Sequence, residues 1–135
     1  MRLVAIMVAG ATVLMLASAA HAPIQAFGRI EPGQWQLRAL DNSAPVRRLC
    51  VADAYDLVQL RHPGAACSRF VLANEPQTAT VHYTCAGAGY GRTTIRVETP
   101  QLVRIESQGL ANQSPFQVTL EGRRLGKCEP EHAAR

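Results

Sequence analysis

The chain reads as an all-β domain: an antiparallel meander forming a curved sheet or open barrel, with one short helix, two disulfides and a cleaved N-terminal signal peptide. Three observations predict this. From residue 33 onward, apolar residues recur at every second position, the period of a strand with one buried face. Short clusters of turn residues separate these stretches, and no strand–helix–strand alternation appears. Four cysteines, Cys50, Cys67, Cys85 and Cys128, all lie beyond an N-terminal stretch built like an export signal.

That stretch reads "MRLVAIMVAGATVLMLASAAHAP". Arg2 precedes an apolar run from Leu3 to Leu16, and the small residues Ala17, Ser18, Ala19 and Ala20 follow. A membrane-spanning helix needs about 20 apolar residues, and this run is shorter. Cleavage is expected after Ala20. The rival site after "AHA" would leave Pro23 first, with its locked φ and missing N–H. With no cysteine near the exit, lipid attachment there is ruled out. The expected organisation is residues 1–20 as signal peptide, 21–30 as a mature N-terminal segment, 31–128 as a four-cysteine β domain and 129–135 as a polar tail, in the periplasm or secreted.

Of the 135 residues, about 115 then remain, one domain's worth. The net charge of +4 falls to about +3 once Arg2 is removed. The excess is mostly arginine and forms no dense run, so it does not argue for nucleic acid.

The elements follow in order. "GQWQLRAL" alternates Trp35, Leu37 and Ala39 with Gln34, Gln36 and Arg38, a half-buried strand. "DNSAP" is turn chemistry, and "VRRLCVA" is a short second strand. "DAYDLVQLRHPG" places Ala54, Leu57, Val58 and Arg61 at helical spacing, with Asp53 as cap and His62-Pro63-Gly64 as stop, so one helix is expected there. "SRFVLANEP" and "TATVHYTC" return to period two, the second with Ala79, Val81, Tyr83 and Cys85 on one face. "GRTTIRVET" points Thr93, Ile95 and Val97 inward, and "LVRIES" does the same with Val103 and Ile105. "QGLANQSP" reads as a looser stretch before the last strand, "FQVTLEG", with Phe116, Val118 and Leu120 on one face.

An even cysteine count in an oxidising compartment reads as two disulfides. Zinc and haem-attachment spacings are missing, because no Cys-x-x-Cys occurs and His21, His62, His82 and His132 are scattered. Four cysteines allow three pairings. The sequential one, Cys50–Cys67 with Cys85–Cys128, is expected, and by loop-closure entropy its two loops contribute roughly 3 and 4 kcal/mol.

Chemistry is sparse. "TCAGAGYGRT" has glycines at 87, 89 and 91, but it joins two strands, and no helix N-terminus follows to hold a phosphate. A hairpin turn needing positive φ explains it better. No nucleophile–base pair is readable, no Gly-x-Ser-x-Gly occurs, and His82 sits on a polar strand face. Glu98, Glu106 and Glu121 are read as partners of nearby arginines rather than as an acid–base pair. No catalytic residue, metal or cofactor is expected. Arg92, Arg96 and Arg104 share an outward parity and form a candidate stripe for anionic contact, diluted by Glu98 and Glu106. Trp35, Tyr83 and Phe116 are candidate lining residues for an apolar cleft, with the core as the plainer role for Trp35.

"PGQWQLR", "PGAAC", "HYTC" and "GRRLGKC" occur here in an order that resembles a family of small exported proteobacterial proteins, domain of unknown function 3617. The likeness covers most of residues 31–128. Gln36 stands where that family often has Glu, and the stretch between Cys50 and Cys67 is shorter. The resemblance implies export and an antiparallel β fold, and no catalytic residues. A second, fainter likeness links "YTCAGAGYGRTTIRVE", residues 83–98, to the strand–turn–strand of periplasmic C-type lysozyme inhibitors. The expected function is therefore that of a non-enzymatic, monomeric periplasmic or envelope protein. It would bind a small apolar or lipid-like ligand, or alternatively block an enzyme such as lysozyme with a protruding loop at 86–91 or 108–115.

Overall fold

The structure, a computed structural model, describes residues 22–130. The signal-peptide expectation and the end of the polar tail lie outside them. Seven antiparallel strands form one unclosed sheet: β1 (Gly33–Ala39), β2 (Arg47–Val51), β3 (Cys67–Asn74), β4 (Thr78–Cys85), β5 (Gly89–Thr99), β6 (Leu102–Ala111) and β7 (Ser114–Gly126). The sheet order is β2-β1-β7-β6-β5-β4-β3. From β3 to β7 the chain is a meander, and the β1–β2 hairpin adds to the far side of β7.

This order makes β2 and β3, neighbours in the chain, the two opposite edges of the sheet. Residues 52–66 must cross from one edge to the other, and they do so over the apolar face. Period-two alternation supplies that face with Trp35, Leu37, Val51, Ala79, Val81, Tyr83, Ile95, Val97, Val103 and Ile105. Leu57, Val58 and Leu60 of the crossing segment close it from above, and Ile24, Ala26 and Ile30 of the N-terminal segment complete the core. Thr93 and Ser107 are polar yet buried, and they fasten the crossing. The Ser107 hydroxyl lies 2.8 Å from the Thr93 hydroxyl, which donates to the Val58 carbonyl at 2.6 Å. The N-terminal segment is tied down by Asn74, whose carboxamide accepts from the Gln25 N–H at 2.9 Å and donates to the Pro23 carbonyl at 3.1 Å.

Three expectations are corrected. The expected helix is only a 3-10 turn, Ala54–Leu57. Asp53 caps it as anticipated, accepting from the Tyr55 N–H at 2.8 Å. An α-helix continuing through His62 would need that residue's N–H to reach the Val58 carbonyl. The His62 N–H bonds to the Gln59 carbonyl at 2.9 Å instead, just as the Asp56 and Val58 N–H groups bond to Asp53 and Tyr55, each three residues back as in a 3-10 turn. A second 3-10 turn, Phe27–Arg29, was not anticipated.

The stretch 108–115 is not loose. β6 runs to Ala111 and β7 starts at Ser114, joined by a two-residue turn in which Asn112 and Gln113 have φ of 49° and 66°.

The disulfides are Cys50–Cys128 and Cys67–Cys85, not the sequential pairs. Cys67 and Cys85 stand directly opposite in the β3–β4 register, with Cα atoms 4.2 Å apart. Cys50 pairs in register with Gln34, which also faces Gly126, so β1 brings Cys50 beside the end of β7 and Cys128. Nearness of Cys50 to Cys67 along the chain means little when their strands are opposite edges.

Candidate functional site

Of the candidate lining residues, Trp35 and Tyr83 are wholly buried and line none of the surface grooves, which corrects the apolar-cleft expectation. Their polar atoms are satisfied internally. The Trp35 indole N–H donates to the Glu31 carbonyl at 3.0 Å. The Tyr83 hydroxyl meets His62 Nδ1 at 3.0 Å, while His62 Nε2 lies 3.0 Å from the Ala88 carbonyl and 3.1 Å from the Leu110 carbonyl. Two acceptors at Nε2 require the proton there, so Nδ1 accepts from the phenol. Buried His62 thus joins the crossing segment to β4 and to two hairpin ends. A lone histidine in a turn gave no sequence signal for this.

The glycine motif serves the same packing. Gly87 and Gly89 have φ of 74° and 119° in the β4–β5 hairpin. Gly91 pairs with Tyr83 in register, and a Cβ there would overlap the phenol ring. The motif makes room for a tyrosine at a turn between two strands. The segment 86–88 is a tight turn, so neither expected inhibitory loop protrudes.

The outward face is different. Phe116 belongs to the inner one: it pairs with Gly109, which pairs with Gly91 opposite Tyr83, and it sits half-buried with its ring centroid 6.2 Å from that of His62 and 5.1 Å from the Arg61 guanidinium. The outward face carries a groove of about 390 Å³ along His82, Tyr90, Arg92, Gln108 and Gln117. A narrower stretch of about 230 Å³ shares Arg92, Gln108 and Gln117 with that groove, and shares Thr94 and Glu106 with a third of about 520 Å³. The third holds Arg96 and Arg104. The three form one open trough across β4 to β7. Its first end is aromatic: the His82 and Tyr90 rings stack 6.1 Å apart, Tyr90 is 47% exposed, and Phe70, 66% exposed, stands opposite His82 on β3. Its other end is charged.

The trough therefore brings together Arg92, Arg96 and Arg104 and leaves Trp35, Tyr83 and Phe116 on the inner face, so the candidate lining set and the candidate anionic stripe lie on opposite sides of the sheet. Among the described residues the ion pairs are Arg38–Glu121, Arg123–Glu121 and Arg124–Glu31, at 3.5, 3.4 and 3.7 Å. None involves Arg92, Arg96 or Arg104, and the expected pairing of Glu98 and Glu106 with arginines does not form at this range. All four cysteines are oxidised, and among the described residues no three potential metal ligands gather. Nor is any described helix long and apolar enough to cross a membrane.

Comparisons with protein-family models, with curated proteins and with solved structures find no match.

Proposed function

We propose that the chain is an exported, non-enzymatic protein of the periplasm or cell envelope that holds a small lipid-like ligand, as a monomer, along the outer face of its sheet. One observation carries this reading: the trough is aromatic at one end and arginine-lined at the other, the polarity of an amphiphile. Two disulfides and the signal-like N-terminus support an oxidising compartment. Absence of a readable nucleophile–base pair supports binding rather than catalysis.

The test is displacement of a fluorescent fatty-acid analogue from protein recovered from the periplasm. Saturable binding is expected, weakened about tenfold by Tyr90→Ser or Arg92→Gln, each removing roughly one anchoring contact. The intact mass of the same sample should place the first residue near His21. No saturable binding overturns the ligand reading, and a mass retaining Met1 to Ala20 overturns processing.

A second reading, inhibition of an enzyme such as lysozyme, has one observation in its favour. The edge strand β3 exposes Phe70, Val71 and Leu72 at 66%, 38% and 46%, and an open apolar edge can accept a partner's strand. Assay against C-type lysozyme decides it: undiminished lysis at micromolar protein removes this reading.

A further inference from the structure

Resting on the outer-face binding proposed above, we infer that Arg96 and Arg104 form a clasp for the phosphate of a zwitterionic phosphate–amine group, with Glu98 and Glu106 receiving the amine. The two arginines stand directly opposite each other in the β5–β6 register. Like charges in that position repel and destabilise a sheet unless something neutralises them. No described carboxylate does so within ion-pair distance. Glu121 stands across from Arg104 on β7, but it is engaged by Arg38 and Arg123. Two guanidinium forks side by side, with no ion-pair partner among the described residues, match the oxygens of a phosphate.

Further donors stand around them. Thr78 is opposite Arg96 in register, and Thr94 and Gln77 line the same groove. Thr94 is already bonded to the Thr80 hydroxyl at 2.9 Å, which leaves Thr78 the freer hydroxyl. Glu98 and Glu106 also line the groove, and they would repel a bare phosphate dianion. A ligand carrying an ammonium next to its phosphate turns that repulsion into attraction. The roughly 520 Å³ of the groove leaves room for both groups. The shared chemistry is that of ethanolamine phosphate, either free or as a lipid head group.

The test is an amide NMR titration of the mature protein with O-phosphoethanolamine and, separately, inorganic phosphate. Saturable shifts are expected at Thr78, Thr94, Arg96 and Arg104, with phosphoethanolamine binding several-fold more tightly. Arg96→Gln and Arg104→Gln should each weaken it about tenfold, the loss of one charge-assisted contact, while the unliganded protein melts no lower and slightly higher as the repulsion is relieved. Glu106→Gln should narrow the gap between the two probes. Co-sedimentation with vesicles of phosphatidylethanolamine but not phosphatidylglycerol marks a lipid source, and binding of the soluble probe alone marks a free one; both support the clasp. Absence of saturable shifts, or shifts indifferent to both arginine variants, overturns it. Equal affinity for both probes overturns the zwitterion. Fatty-acid displacement at the Tyr90 end is read independently, so its failure with head-group shifts intact sinks the amphiphile reading alone.

Discussion

At the scale of single residues, the buried polar contacts around Tyr83 decide what the interior tolerates. Burial pushes the Tyr83 phenol above its ordinary value of 10.0, against a smaller opposing pull from Arg61. The folded state therefore favours the protonated phenol. Its contribution is complete below pH 10 and is lost as pH rises past 10, where the unfolded chain ionises first. Wild type should thus lose stability above pH 10 more steeply than Tyr83→Phe, as measured by denaturant midpoints from pH 8 to 11. At pH 7 the same variant should be about 1–3 kcal/mol less stable, because His62 Nδ1 loses its donor. Parity along "TATVHYTC" announced that Tyr83 points inward. Nothing local announced His62 as its partner, because the two meet only after residues 52–66 cross the sheet.

At the scale of elements, alternation located every strand and misjudged where some end. The β6–β7 turn shows why. Asn112 and Gln113 both take left-handed backbone, and asparagine adopts this far more readily than glutamine. A weak turn residue hid a tight hairpin. Gln113→Gly, which gives the Asn-Gly pair such turns favour, should raise stability by about 0.5–1 kcal/mol, read as a higher melting temperature. An unchanged or lower value would mean that the left-handed strain at Gln113 is already relieved. The 3-10 turn at Ala54–Leu57 carries the opposite lesson. Helical spacing was present, yet the N–H groups of Asp56, Val58 and His62 bond three residues back rather than four, so the spacing produced 3-10 geometry while Thr93 tied the segment to the sheet.

At the scale of the molecule, the disulfides follow from the sheet order. Non-reducing peptide mapping should find Cys50 with Cys128 and Cys67 with Cys85. The first spans 78 residues and the second 18. By loop-closure entropy they contribute roughly 4–5 and 3 kcal/mol. The double serine variant at 50 and 128 should therefore lower the denaturant midpoint more than that at 67 and 85. The reverse order would show that native-state strain, rather than chain entropy, governs the difference.

The sequence by itself determined the strands, the inward and outward parity of their residues, the presence of two disulfides and the outward placement of Arg92, Arg96 and Arg104. All of these are local, because side chains alternate along a strand whatever it pairs with. Only the tertiary structure decided which strands are neighbours. That choice set β2 and β3 at opposite edges, re-paired the cysteines, sank Tyr83 beneath the crossing segment and put Arg96 against Arg104. Cross-strand register joins residues far apart in the chain, and no periodicity within one strand encodes its partner.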